Sequence, residues 1–67
     1  MINISINGDT HTFDKQVSLQ LVIEKLKIDT DGIAVAINQH IISKSKWNST
    51  TLNNSDNVLI IKATQGG

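Results

Sequence analysis

The sequence predicts an α+β domain in which one helix packs across a mixed sheet of four to five strands. Isoleucines alternate with polar residues over Ile2–Ile6, a period of two that is typical of a half-buried strand. Apolar residues recur at helical spacing over Leu19–Leu26, which gives one apolar stripe. Two apolar runs, Ile33–Ile37 and Val58–Ala63, are too short for helices and rich in β-branched residues. With 67 residues, the chain has room for one such domain.

The first two strands are predicted to form a hairpin. Asn7-Gly8 follows the alternating segment directly, and Asn-Gly is the strongest short hairpin signal because both positions tolerate positive φ. A second strand is therefore expected over Thr10–Phe13, with Phe13 turned towards the core.

The helix is expected over Leu19–Lys27. Ser18 fits the N-cap position, where its hydroxyl can accept a hydrogen bond from an unpaired backbone N–H. Val17 before the cap and Val22 at the fourth helical position have the spacing of a hydrophobic staple. The apolar stripe that faces the sheet consists of Leu19, Val22, Ile23 and Leu26.

The second half of the chain is predicted to supply further strands on either side of a long loop. Ile33–Ile37 is interpreted as a strand that is buried on both faces. From Ser43 to Asn57 the sequence is polar, so we expect a surface loop that Trp47 and Leu52 pin to the core. The last strand is expected over Val58–Ala63.

The order of these elements predicts the topology. One helix in so short a chain can bury its stripe only by lying across the sheet. The first and last strands are then expected side by side and parallel, because the helix supplies the crossover that parallel neighbours need. This arrangement is the β-grasp, the ubiquitin-like architecture. We expect residues 1–64 to form the β-grasp domain and residues 65–67 to form a flexible carboxyl-terminal tail.

Composition excludes several classes of function. The charges balance at six basic and six acidic residues, and there is no Arg, so binding to nucleic acid is not expected. No apolar run in the sequence is long enough to cross a bilayer. The opening residues lack a basic region followed by an apolar stretch, so a signal peptide is not expected. There is no Cys, and His11 and His40 lack the further ligands of a metal site, so we expect no metal and no bound cofactor. A core this small leaves little room for an enzyme pocket, so the protein is not expected to be an enzyme. We expect it in the cytoplasm, or in the stroma if an organelle encodes it.

The open face of the sheet is a candidate partner surface. If Leu59, Ile61 and Ala63 face the helix, then the side chains that point away from it are apolar and small to medium in size. Apolar patches of this kind often mark contacts between proteins. The alternative is that the long loop folds back and covers part of the face. The candidate residues are Ala34, Ala36, Val58 and Ile60.

The last two residues, Gly66 and Gly67, form a second candidate site. A Gly-Gly end arises by chance in about 0.5% of chains, since glycine makes up about 7% of residues. Without Cβ atoms such a segment can thread a narrow enzyme channel and present its carboxylate to a bound reagent. A frayed tail of small residues explains the same sequence equally well.

The sequence resembles the ThiS family, the sulfur carrier proteins of thiamine (thiazole) biosynthesis. The resemblance covers the whole length. It is most specific at Ala36-Ile37-Asn38-Gln39, which is followed by an Ile pair and Trp47, and at the terminal Gln65-Gly66-Gly67. The opening segment from Ile2 to Gly8 is also similar.

The resemblance implies a role as a protein substrate. An adenylating enzyme of the ubiquitin-activating type would use ATP and Mg²⁺ to convert the Gly67 carboxylate to an acyl-adenylate. Sulfur from a persulfide, supplied by a cysteine desulfurase or another donor, would then give a terminal thiocarboxylate for thiazole synthase. Gln65 and Gly66 would thread the partner's active site, and this chain would bind no cofactor itself.

Three alternatives remain open at this point. The small subunit of molybdopterin synthase is also similar in fold and in its Gly-Gly thiocarboxylate, but it has a different sulfur acceptor. A ubiquitin-like modifier would join its terminal glycine to protein lysines. A plain interaction module would carry an inert tail.

Overall fold

A computed structural model describes residues 1–62. Within this range the longest elements are strands of five or six residues and a seven-residue helix. The elements are β1 (Ile2–Ile6), β2 (Asp9–Phe13), β3 (Val17–Ser18), α1 (Leu19–Lys25), β4 (Ile33–Ile37), β5 (His40–Ile42), a 3₁₀ helix (Lys44–Lys46), β6 (Thr51–Leu52) and β7 (Asn57–Lys62). A main sheet of five strands has the order β2-β1-β7-β4-β5, and β3 pairs separately with β6.

The topology is the predicted β-grasp. β1 and β7 are parallel neighbours, and the remaining pairs in the main sheet are antiparallel. The sheet's inner face and the helix enclose the core, whose largest fully buried side chain is Trp47. The structure therefore confirms three predictions: a mixed sheet, a single helix that crosses it, and first and last strands that lie side by side and parallel.

Two hairpins of the sheet turn through residues with positive φ. Asn7 (φ 51°) and Gly8 (φ 88°) join β1 to β2, as the Asn-Gly signal predicts. Asn38 (φ 50°) and Gln39 (φ 74°) do the same between β4 and β5. Positive φ at both central residues matches the right-handed twist of the flanking strands, so both turns favour tight pairing.

The helix begins as predicted and ends two residues early. The Leu21 backbone N–H donates to the Ser18 hydroxyl at 3.1 Å, which confirms the N-cap. The helix ends at Lys25 because Lys27 adopts a left-handed conformation with φ 54°. The N–H groups of Lys27 and Ile28 then bond back to the carbonyls of Glu24 and Ile23, a Schellman motif with lysine at the position that usually holds glycine.

The long loop is more ordered than the sequence predicts. Trp47 and Leu52 are buried, as predicted, and the Trp47 indole N–H donates to the Ile42 carbonyl at 3.1 Å. The loop also contains the 3₁₀ helix and β6, neither of which has a sequence signal. Backbone N–H groups of Leu19 and Gln20 donate to carbonyls of this loop, so it packs at the start of the helix.

Two further expectations need correction. β4 is not buried on both faces, because Ala34 is exposed on the face opposite the helix. The last strand begins one residue early, at Asn57, and Ala63 lies outside the described residues. No helix within residues 1–62 has the length and apolarity needed to cross a membrane.

Candidate functional site: the open face and the base of the tail

The side chains of β7 face the opposite way from the prediction: the even-numbered residues, and not the odd-numbered ones, point towards the helix. In the parallel pairing Val58 lies beside Ile6, and in the antiparallel pairing it lies beside Ile37; both neighbours are buried. Val58 is fully buried and Ile60 packs against the core. The prediction that Val58 and Ile60 form part of a partner surface is therefore wrong.

Leu59 and Ile61 occupy the open face instead. Their side chains remain 47% and 49% exposed, although both are large and apolar. Lys62 has the same strand parity as Val58 and Ile60. It lies on the helix side but at the end of the sheet, where its ammonium group reaches Asp29 at 3.9 Å. Both partners are largely exposed, so this ion pair contributes little to stability.

The open face carries an apolar patch across β7, β4 and β5. Strand register places Ile61 beside Ala34, and places Ala36 between Leu59 and Ile41. Ile41 is 71% exposed. Ala34 is exposed on this face, whereas Ala36 lies on it by register but is only 6% exposed. We call this surface the open-face patch; its residues are Ala34, Ala36, Ile41, Leu59 and Ile61.

The other half of the open face is polar. The outward positions of β1 and β2 carry Asn3, Ser5, Thr10 and Thr12, and the Thr12 hydroxyl donates to the Asn3 side chain at 2.9 Å. The apolar patch thus has a defined border at the β1–β7 junction. Because Trp47 is buried in the core on the helix side, its loop does not cover the patch as the alternative interpretation suggested.

Two asparagine side chains hold β7 in place. The Asn38 side chain accepts from the Asn57 backbone N–H at 2.9 Å and donates to Asp56 at 3.0 Å. The Asn7 side chain accepts from the Ile60 N–H at 2.7 Å and donates to the Ile60 carbonyl at 3.2 Å. The Asn-Gly pattern predicts the turn at Asn7, but it carries no signal for this contact with a strand 53 residues away.

The loop before β7 is bonded to β1. The Asn3 N–H donates to the Asn54 side chain at 2.8 Å, and the Asn3 carbonyl accepts from Ser55 at 2.8 Å. Asp56 closes the loop by accepting from the Asn53 N–H at 2.7 Å. β7 therefore starts from a fixed position in the sheet.

The predicted tail site lies outside the described residues. Gln65, Gly66 and Gly67 follow the described end of β7, so their predicted roles in threading and modification stay predictions. The two histidines do not come together: His11 pairs with Ile4 on one edge strand, and His40 pairs with Ile37 on the other. Over residues 1–62, no group of three or more potential His, Cys, Asp or Glu ligands is present.

Comparison with known proteins identifies the family. The model of the ThiS family matches residues 4–67. The chain is 32% identical over 66 residues to "uncharacterized protein ycf40" of Pyropia yezoensis and 33% identical to the protein of that name from Porphyra purpurea; each match covers 98% of this chain and 93% of the relative.

A solved structure shares the fold. The crystal structure of the thiamine biosynthesis protein (ThiS) from Geobacter metallireducens superposes with a TM-score of 0.85 at 22% identity, covering 98% of this chain and all of that one. The solution structure of a thiamine biosynthesis protein from the same organism gives a TM-score of 0.75, and the match covers 98% of this chain and 88% of that one. The family match includes both the buried strands and the terminal glycines, and the chain therefore belongs to the ThiS family of ubiquitin-like sulfur carrier proteins.

Proposed function

We propose that this protein carries sulfur for the synthesis of the thiazole ring of thiamine, on its own terminal carboxyl group. The observation that carries the proposal is the family match, which extends to Gly67. The buried apolar residues of the described chain run from Ile2 to Val58. In the proposal, the terminal residues serve chemistry that a partner enzyme performs.

The first step is activation of the Gly67 carboxylate. A carboxylate is a poor electrophile because its negative charge repels nucleophiles. In a ubiquitin-activating-type enzyme its oxygen attacks the α-phosphorus of ATP, and pyrophosphate leaves with Mg²⁺ as counterion. The resulting acyl-adenylate has AMP as a good leaving group. ATP and Mg²⁺ belong to the partner, so this chain is a substrate and not the enzyme.

The second step loads sulfur. The terminal sulfur of a persulfide, supplied by a cysteine desulfurase or another donor, attacks the acyl carbon and AMP leaves. A thiol then cleaves the S–S bond, which releases the thiocarboxylate and leaves a disulfide on the partner side. Thiazole synthase is the acceptor of this sulfur. The absence of Cys from the chain fits this chemistry, because the sulfur is held on the terminal carbonyl carbon.

The open-face patch is proposed as the docking surface for the adenylating enzyme. Leu59 and Ile61 lie on the strand that precedes the tail in sequence, so a partner seated on them would contact the chain a few residues before the segment that it must thread. Burying large exposed apolar side chains contributes about 25 cal/mol for each Å² removed from water. Gln65 and Gly66 then extend into the partner's active site. The proposed compartment is the cytoplasm, or the stroma for an organelle-encoded chain.

The test is the mass of the intact protein after incubation with the adenylating enzyme, ATP, Mg²⁺ and a persulfide source. We expect a gain equal to the replacement of one oxygen by sulfur, located on Gly67 by fragmentation. Reactions without ATP, and a chain lacking Gly67, serve as controls. No gain in mass, or conjugates to protein lysines instead, would overturn the proposal; transfer to molybdopterin synthase in place of thiazole synthase would move it to that pathway.

A further inference from the structure

The carboxamide of Asn7 takes the place of a neighbouring strand beside β7. Its oxygen accepts from the Ile60 N–H at 2.7 Å, and its nitrogen donates to the carbonyl of the same residue at 3.2 Å. A β-strand offers one acceptor and one donor to its neighbour in this way. One side chain thus supplies both hydrogen bonds that a continued β1 would give to Ile60.

This contact matters because the main chain of β1 leaves the sheet at the same point. The parallel pairing of β1 with β7 extends only over Ser5–Asn57 and Ile6–Val58, and the Asn7 backbone N–H adds one bond to the Val58 carbonyl at 2.9 Å. Asn7 itself is left-handed and starts the turn. Among the described residues, the carboxamide is therefore the last support of β7 on the β1 side.

On its other side β7 is paired with β4 as far as Lys62 and Ile33. Without the carboxamide, the segment from Ile60 to Lys62 would be held along one side only. That segment includes Ile61 of the open-face patch and leads directly into the tail. Strand ends held on one side open at lower free energy than strands paired on both sides.

We propose that Asn7 is a positioning residue for sulfur loading, and that its carboxamide fixes the end of β7 from which the tail is presented to the activating enzyme. This inference rests on the proposed function. Seven residues separate Ile60 from the end of the chain, and their extended reach is at most about 25 Å. A mobile strand end would have to be ordered each time the carboxylate enters the partner's active site, which raises KM for the carrier.

Asn38 provides a matched control within the same chain. It has the same residue type, the same left-handed conformation and the same first position in a hairpin turn. Its side chain also accepts from a β7 backbone N–H, but from Asn57 at the start of the strand. Asn7→Gly and Asn38→Gly each remove one such side chain, and glycine tolerates the turn conformation.

The experiment compares steady-state loading kinetics of wild type, Asn7→Gly and Asn38→Gly with the adenylating enzyme. We expect KM for Asn7→Gly to rise about tenfold with kcat unchanged. This factor corresponds to the entropy cost of ordering the backbone of one additional residue on binding. Asn38→Gly should keep the wild-type KM at a similar melting temperature. Asn7→Asp keeps the acceptor and loses the donor, so its KM should lie between wild type and Asn7→Gly. Equal KM values for the two glycine variants would overturn the inference.

Amide hydrogen exchange tests the same inference without a partner enzyme. Asn7→Gly should accelerate exchange of the Ile60 amide selectively, and Asn38→Gly should accelerate that of Asn57. Unchanged protection of Ile60 in Asn7→Gly would overturn the positioning role. If wild-type protein is not loaded at all, the proposed function fails, whereas the exchange result still decides whether Asn7 holds the strand end.

Discussion

Trp47 holds the long loop between Ser43 and Asn57 against the rest of the fold. Its side chain is 1% exposed and belongs to the core cluster, while its indole N–H donates to the Ile42 carbonyl. Its own carbonyl accepts from Gln20 at 3.1 Å. One residue thus joins the long loop to the end of β5 and to the first turn of the helix.

Replacing Trp47 should greatly lower the protein's free energy of unfolding. Truncation of a buried aromatic side chain costs about 3–5 kcal/mol. A chain of this length has a free energy of unfolding of about 3–10 kcal/mol. We expect Trp47→Ala to be marginally folded, and Trp47→Phe, which keeps a ring but loses the indole donor, to be intermediate. Urea unfolding measures both, and a loss below about 1 kcal/mol for Trp47→Ala would contradict this role.

Single residues could be predicted from sequence where the physics is local. The Ser18 cap follows from a hydroxyl placed before an apolar helical pattern, and the Asn7-Gly8 turn follows from tolerance of positive φ. The end of the helix could not be predicted, because it depends on Lys27 adopting a conformation that lysine disfavours. The carboxamide contacts of Asn7 and Asn38 depend on distant strands, so no local pattern reveals them.

At the level of elements, β7 shows where periodicity fails. Residues 58–61 are all apolar, so alternation does not distinguish the inner from the outer face. The distinction comes from pairing with β1 and β4, which places Val58 among buried neighbours. β3 and β6 cannot be predicted for a related reason, since strands of two residues contain no period.

The assignment of β7 side chains to the two faces of the sheet can be tested by making the same substitution at two adjacent isoleucines. Ile60→Thr places a hydroxyl against the core and should lower the free energy of unfolding by about 1–3 kcal/mol. Ile61→Thr makes the same change on the open face, where threonine suits a strand, so its stability should stay within about 0.5 kcal/mol of wild type. Chemical denaturation of the pair measures the difference. Equal losses for both variants would contradict the assigned faces.

For the molecule as a whole, the division of the sheet into an apolar and a polar half predicts which side a partner contacts. Leu59→Ser and Ile41→Ser each remove a large exposed apolar side chain from the patch. We expect the double variant to weaken binding to the adenylating enzyme by about tenfold or more. Leu21→Ser, at a 39% exposed position on the helix, is the matched control and should bind normally. Titration calorimetry measures the affinities of wild type, the double variant and Leu21→Ser, and a normal affinity for the double variant would exclude the patch as the docking surface.

At the scale of the whole molecule, the proposed function assigns folding to the described core and sulfur loading to the carboxyl terminus. The buried apolar residues of the described chain lie between Ile2 and Val58. The proposal predicts that Gly67 serves sulfur loading and not the core. We therefore expect Gly67→Val to keep the wild-type melting temperature and to lose sulfur loading, because a branched side chain crowds the acyl carbon that AMP must leave. Thermal unfolding and intact mass, measured on one preparation, separate the two effects. A melting temperature lowered by many degrees would show that the terminus contributes to the fold, and normal loading would show that the acyl site tolerates a side chain.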